Sequence, residues 1–406
     1  MMTAPTGGSD SRGTMLAFED RRLPDADGTE MSSRRKSVLR RQPYLAAIPA
    51  PISTLDFDLK SEVVAVADDA SQAIARFDAE FALFPAPFAA VLLRSESASS
   101  SQIENLTSSA RAIAEAEIDE RREGNAALIV RNVRAMEAAI ALANDISNDT
   151  IIEMQRQLLE DSHPEYVGRY RTEQVWIGGS LPQDAKFVPP HHERVPAAMD
   201  DLVEFAHRTD LPVLVQAAIA HAQFETIHPF PDGNGRTGRA LVQAMLRNGG
   251  LLKNMTIPVS SGLLTDIDGY FDALNDYRAG NVAPIITVFA EAALSGVSNA
   301  CTLASDIARM QEEWATRMSG LRADASARRV AALSIEFPVL HTRVVTEKLG
   351  VSQPAAGNAL EALAERGVLR AANSKRRNRI WVNDEVIAAL DEFAARAGRR
   401  RRSAAY

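Results

Sequence analysis

The sequence predicts a mainly α-helical protein, a helical bundle carrying one small β-hairpin flap and followed by a C-terminal winged helix-turn-helix. Three observations carry this. Apolar residues recur at helical spacing in 61–84, 92–158 and 212–248. Only one stretch, 169–190, reads as strand, turn, strand. Residues 326–382 read as three helices and then a basic hairpin, the order of a winged helix-turn-helix.

Each element follows from local chemistry. Residues 1–42 are rich in Gly, Ser, Thr, Arg and Asp without periodicity, so a poorly ordered basic tail is expected, with Arg34-Arg35-Lys36 and Arg40-Arg41 as a solvated charge run. An N-terminal helical region spans 43–145: an extended lead-in with Pro43, Pro49 and Pro51, a helix from Ser61 to Phe84, a break at Pro85-Ala86-Pro87, and helical pattern on to Ala143. A core follows at 146–300, opening on a helix capped by Ser147 or Asp149. Then come a linker helix at 301–325, the winged module at 326–390 and a basic tail at 391–406.

Composition fits a globular enzyme, with 46% hydrophobic and 24% charged residues. A net charge of -8 opposes a chain-wide nucleic-acid footprint, though not a local basic module. The single Cys301 excludes an intramolecular disulfide and points to a reducing compartment. No apolar run approaches the roughly 18 residues that span a bilayer, so no membrane association is expected. The first 28 residues lack the apolar core of a secretory signal, so the expected location is cytoplasmic.

The chemistry concentrates in His228-Pro229-Phe230-Pro231-Asp232-Gly233-Asn234-Gly235-Arg236-Thr237-Gly238-Arg239. Helical pattern precedes it from Pro212 and follows it to Asn248, where Gly249-Gly250 stops the second helix. The run therefore reads as helix, tight loop, helix. Its glycines let backbone N–H groups approach phosphates, and a helix N-terminus favours anions. Arg236 and Arg239 share one face of the first turn and can grip successive phosphates. Gly233 to Gly238 also spells G-x-G-x-x-G, but the dinucleotide fingerprint needs a preceding strand, and here a helix precedes.

The run resembles the HxFx(D/E)GNGRxxR signature of the Fic (filamentation induced by cAMP) proteins at every fixed position. The resemblance implies transfer of AMP from ATP to a Ser, Thr or Tyr hydroxyl of a target protein. By it, His228 is the general base, Asp232 holds Mg²⁺ at the phosphates, and Gly233, Asn234 and Gly235 line an anion hole. Arg236 meets the β-phosphate region, Arg239 meets the γ-phosphate, and Thr237 and Gly238 complete the nucleotide-binding run. Phe230 is the buried anchor. Ser100-Ser101-Gln102-Ile103-Glu104-Asn105 resembles the family's inhibitory pattern (S/T)xxxE(G/N), with Ser100, Glu104 and Asn105 at its fixed positions. On that reading Glu104 pairs with Arg239, because one guanidinium cannot serve a carboxylate and a γ-phosphate at once. Read alone, Ser100 is a helix cap and Glu104 a solvated helix residue.

The stretch 169–190 places strands at Val175-Trp176-Ile177 and Lys186-Phe187-Val188 around a turn at Gly178-Gly179-Ser180. The resemblance makes it the flap that pairs with the target's main chain through Val175, Trp176, Ile177 and Gly178. The resemblance also suggests that Tyr270 and Arg278, on a helix from about Thr265, wall the adenine pocket. His191-His192-Glu193 lacks further ligands at metal spacing and is no metal site. His221 and Glu225, four apart, read as packing or local polar contacts.

In the C-terminal module Ser352 caps the recognition helix, and a wing between Val368-Leu369-Arg370 and Ile380-Trp381-Val382 carries Arg370, Lys375, Arg376, Arg377 and Arg379. With Arg399 to Arg402, residues 366–406 hold eleven basic and four acidic side chains, a local balance of +7. Such a stretch can contact DNA phosphates, or the module can dock a protein or a second copy of the chain. The pattern leaves four rivals to autoinhibited AMP transfer: another nucleotide donor such as UTP, a phosphocholine donor, AMP removal, and a DNA-binding regulator with a vestigial site. Self-modification and a homodimer are compatible with each enzymatic reading.

Overall fold

A computed structural model of the protein describes residues 15–23, 39–82, 87–119, 123–320, 326–372 and 379–398. Strands β1 (Leu16–Arg21) and β2 (Tyr44–Pro49) pair antiparallel, with Leu16 opposite Pro49 and Arg21 opposite Tyr44. Part of the expected unordered tail is therefore a strand, and Met15 and Leu16 are buried. Its apolar spell is too short to show a period in sequence. Arg34, Arg35 and Lys36 lie outside the described residues.

Helices α1 (Ser61–Phe81), α2 (Pro87–Ile103), α3 (Ala110–Glu117), α4 (Asn125–Ala141) and α5 (Asn148–Leu159) follow. The expected run to Ala143 thus resolves into three helices, and positive φ at Asn105 (62°) and Asp119 (64°) marks the breaks. Ser147 caps α5 as its hydroxyl accepts from the Thr150 N–H, while the Thr150 hydroxyl accepts from the Ser147 N–H at 2.9 Å.

Next come α6 (Val195–Ala206), α7 (Val213–Ile227), α8 (Asn234–Asn248), α9 (Val259–Leu263), α10 (Ile267–Arg278) and α11 (Ala283–Arg317). Helix α7 is the axis of the bundle: every residue from Leu214 to Ile227 is buried. An all-round apolar helix is stable only when neighbours enclose it, and α1, α6, α8, α10 and α11 do so. Helix α11 runs through the proposed boundary at residue 300, so core and linker are one helix. By length and composition α11 could cross a bilayer, which corrects the expectation that nothing in the chain is long and apolar enough. Glu291 and Asn299 interrupt the apolar run in sequence, yet Ile285 to Trp314 supply a buried face against α1, α7, α9 and α10.

The C-terminal unit comprises α12 (Ser326–Glu336), β3 (Val339–His341), α13 (Thr342–Leu349), α14 (Gln353–Glu365), β4 (Arg370–Ala371), β5 (Ile380–Val382) and α15 (Asp384–Ala397), with strand order β3-β5-β4. Ser352 caps α14, accepting from the Ala355 N–H. Helix α15 crosses the expected tail boundary, and its Phe393 and Ala397 are buried. Lys375, Arg376, Arg377 and Arg399 to Arg402 lie outside the described residues.

This unit packs on the outer face of α2. Arg94 on α2 donates from Nε to Glu117 Oε1 at 2.6 Å and from Nη2 to the Glu336 carbonyl at 2.5 Å. Asp391 accepts from the Ala110 N–H at 3.0 Å. Burial pushes the Glu117 carboxyl above its usual range even with Arg94 beside it. Removing one partner of a buried pair costs about 3 kcal/mol or more, because the other is left uncompensated. Arg94→Ala should therefore lower the free energy of chemical denaturation by about that much, and adding Glu117→Leu should restore part of it. An unchanged single variant would show the pair to be dispensable.

Candidate active site

The site is built on the turn between α7 and α8. His228 ends α7 in the left-handed conformation (φ 52°), its N–H donating to the Phe224 carbonyl at 2.8 Å. Pro229 follows, and a residue before proline is disfavoured in the helical region. Asn234 clasps the loop: its Oδ1 accepts from the Phe230 N–H and its Nδ2 donates to the Phe230 carbonyl, both at 2.8 Å. Phe230 is fully buried against Phe224 and Tyr170, the anchor expected from sequence. Gly233 caps α8 at φ 81°, which favours glycine. The first amides of a helix have no intrahelical acceptor, so the start of α8 faces the loop as an anion site. The Asn234 side chain braces this cradle rather than lining it.

Arg236 and Arg239 rise from the first turn of α8, and both are buried. Glu104 lies just past the end of α2 and meets both: Arg239 Nη2 donates to Oε1 and Arg236 Nε to Oε2, each at 2.8 Å. Ser100 holds Arg239 further, its hydroxyl accepting from Nε and its carbonyl from Nη2, each at 2.8 Å. Asn105 at φ 62° turns the chain out of α2, which explains the Gly or Asn after the glutamate in the pattern. A Cβ at Gly235 would collide with the Glu104 carboxylate, so the glycine admits the clasp. Burial works to lower the Arg239 pKa, but Glu104, Tyr270 and Glu225 outweigh it and raise it.

His228 is held neutral. Burial first, then the charges of Arg171 and Arg278, push its pKa down to about 3. Its Nδ1 stands 3.8 Å from Glu225 Oε2. Burial raises the Glu225 carboxyl to about 7, with Arg239 and Arg278 pulling down and Glu104 pushing up. A free imidazole lone pair beside two guanidiniums and a helix N-terminus can accept a proton next to a polyphosphate. Asp232 offers one half-exposed carboxylate, its Oδ1 accepting from the Gly233 N–H at 2.7 Å. Among the described residues no group of three or more His, Cys, Asp or Glu could hold a metal. One carboxylate fits Mg²⁺, which commonly takes its remaining ligands from water and substrate phosphates.

Other expected residues lie elsewhere. Thr237 is buried, and Gly238 packs on Phe224 and His221, where a Cβ would meet Phe224 Cδ1 at 2.9 Å; both are on the core side of α8. Tyr270 is 1% exposed with its hydroxyl 2.8 Å from His221 Nε2, so it lies beneath Arg239 and not on an open adenine wall. Arg278 lies over the Phe187 ring at 3.9 Å and reaches the Glu225 carbonyl.

The flap has one β-bridge, Ile177 to Phe187, in place of two strands. The Ile177 N–H donates to the Phe187 carbonyl at 2.8 Å, and Asp184 Oδ1 closes the turn on the Ser180 and Leu181 N–H groups. Pro182, Pro189 and Pro190 have no N–H to extend a ladder. On its return side the flap joins β2, where the Ala47 N–H donates to the Val188 carbonyl at 3.0 Å. Val175, Trp176 and Ile177 are half-buried and Gly178 is exposed. Arg171, which sequence reading missed, is buried and donates to the His228 carbonyl at 2.8 Å. Its only sequence signal is its place as one of two arginines, Arg169 and Arg171, ahead of an apolar strand pattern.

Residues 145–246 match the model of the Fic/DOC family, and residues 64–141 match that of the Fic/DOC family N-terminal region. The two matched stretches lie in the family's own order, the N-terminal region ahead of the Fic/DOC segment. It is 33% identical over 147 residues to protein adenylyltransferase Fic of Nematostella vectensis, covering 36% of this chain and 32% of that protein. It is 30% identical over 171 residues to protein adenylyltransferase fic-1 of Caenorhabditis elegans, covering 39% and 31%. The matched segment spans about a third of the length of these relatives. A Fic family protein from Desulfovibrio desulfuricans G20 shares the fold at a TM-score of 0.52 and 22% identity, over 80% of this chain and 97% of that one.

The raised Glu225 pKa makes a stability prediction. A carboxyl with its folded pKa above its unfolded one stabilises least when ionised, so its contribution is lost as pH rises from about 4.5 through about 7. Glu225→Gln should leave stability near pH 5 little changed and raise it near pH 8.5 by roughly 2–3 kcal/mol. Thermal unfolding at the two pH values would show this, and equal effects at both would refute it.

Proposed function

We propose that the chain transfers AMP from ATP to a Ser, Thr or Tyr hydroxyl of a target protein, and that Glu104 holds the transfer in check. The observation that carries this is the neutral His228 imidazole at the turn that opens α8, whose first turn carries Arg236 and Arg239. The relatives' name, adenylyltransferase, supports ATP as donor.

In this reading His228 accepts the proton of the acceptor hydroxyl as its oxygen attacks the α-phosphorus of ATP. The bond to the β-bridging oxygen breaks and pyrophosphate leaves. Arg236 and Arg239 bind the β- and γ-phosphates, with charge-assisted bonds to the departing group. The amides opening α8 orient the phosphate chain. Asp232 would hold Mg²⁺, which neutralises phosphate charge when bound. The flap carries the target's main chain, so that the acceptor side chain falls beside His228.

Glu104 opposes this by geometry. Its two oxygens hold both guanidiniums, so neither is free for phosphate, and a misplaced γ-phosphate leaves the α-phosphorus out of line with the hydroxyl. Displacements near 1 Å can cost on the order of 10²-fold in rate. The C-terminal unit fits a docking role better than DNA contact. Arg370 is paired bidentately with Asp384 at 2.5 and 2.8 Å, and α14 carries Glu361 and Glu365 but no basic residue.

Glu104→Gly should raise incorporation of label from ATP into protein by on the order of 10²-fold, and His228→Ala in that background should abolish it. Incubation in lysate with labelled ATP or UTP, followed by mass spectrometry, reads donor and target together. Equal, background-level labelling of wild type and Glu104→Gly with either nucleotide would overturn the proposal.

A further inference from the structure

We propose that Arg171 is the positioning residue that registers the flap with the catalytic loop and fixes the backbone that carries His228. The inference rests on His228 acting as the base. Arg171 is 4% exposed, and its guanidinium bonds main-chain carbonyls on both sides of the site. Nε donates to the His228 carbonyl at 2.8 Å, and Nη2 reaches the Ile227 carbonyl at 3.4 Å. Nη1 donates to the Glu173 carbonyl at 2.9 Å and Nη2 to the Pro190 carbonyl at 2.5 Å. Its backbone N–H donates to the Pro229 carbonyl at 2.9 Å. Ile227, His228 and Pro229 are the catalytic loop; Glu173 and Pro190 are the two stems of the flap. One side chain thus ties the proton acceptor to the segment that would hold the acceptor hydroxyl.

The chemistry requires arginine. A planar fork of five donors can serve carbonyls in several directions, whereas a lysine ammonium is a single point of donation. Among the described residues no carboxylate pairs with Arg171. A buried cation without a counter-ion is costly and persists only where its hydrogen bonds are satisfied. His228, in turn, occupies a left-handed conformation that a non-glycine residue adopts only when its surroundings hold it there. The bond from Arg171 to the His228 carbonyl is one such restraint.

The charge has a second effect. The groups facing His228 are Arg171 before the flap, Arg278 on α10, and Glu225 on α7, whose carboxyl burial favours in its neutral form. The two cations oppose protonation of the imidazole, and the raised Glu225 carboxyl offsets them only in part. Removing Arg171 removes the larger of the two cationic influences.

The test uses full-length protein in the Glu104→Gly background with two substitutions. Arg171→Gln removes fork and charge; Arg171→Lys removes the fork and keeps the charge. The His228 ring-proton titration, read by NMR, should rise in Arg171→Gln, with burial still holding it below the ordinary value near 6.5, and stay low in Arg171→Lys. Label transfer at pH 7 should fall on the order of 10²-fold in both, with KM for the target raised because the flap is out of register. An unmoved titration in folded Arg171→Gln, or transfer retained in folded Arg171→Lys, would overturn the inference. Absence of labelling in the Glu104→Gly parent would instead sink the proposed function, while the titration would still decide whether Arg171 controls His228.

Discussion

The clasp of one carboxylate on two buried guanidiniums organises the site. Arg236 and Arg239 place two like charges on one turn of a buried helix. Without a phosphate that arrangement is expensive, because uncompensated charge in a low-dielectric interior costs several kcal/mol. Glu104 compensates both at once, at 2.8 Å to each. The same bonds occupy the donors that phosphate would use. In the proposed function, compensation of the resting site and obstruction of the working one are a single interaction.

Much of the surrounding architecture makes that interaction geometrically sharp. Helix α7 is enclosed on every side, so His228 at its end inherits the position of a packed core element. Helix α2 lies between α8 and the C-terminal unit, with Ser100 and Glu104 at one end and the Arg94–Glu117 pair nearer its start. Further polar bonds brace the inner face: Glu96 on α2 accepts from the Ser260 hydroxyl at 2.6 Å and the Ser260 N–H at 2.9 Å. Buried carbonyls at the loop and flap stems find their donors on Arg171. These bonds position the site's functional atoms; the apolar core supplies the stiffness behind them.

The residues from His228 to Arg239 were legible together in the sequence because their spacing is itself chemical. His228 to Arg239 lies in one turn and one helix start, so local geometry places the imidazole, the cradle and both arginines. Ser147 and Ser352 were legible as caps for the same local reason. Where partners are remote, inspection of the chain was less informative. β1 is stable only against β2, and α15 was hidden by a basic tail that starts inside it. Tyr270 looked like a pocket wall but is turned inward to His221. The flap's strand-forming residues met prolines and a glycine turn, so one bridge formed.

By itself the sequence determined the helical class, the loop that ends α7 and opens α8, and, through its resemblance, the Glu104–Arg239 pairing, because these depend on residue type at short separation or on a family pattern. Only the tertiary structure decided that Glu104 also takes Arg236 and that Arg171 joins flap to loop. It likewise decided that Thr237, Gly238 and Tyr270 face inward. Those outcomes depend on which surfaces of distant segments come together, and hydrogen bonds to main-chain carbonyls leave no mark in the identity of the residues that accept them.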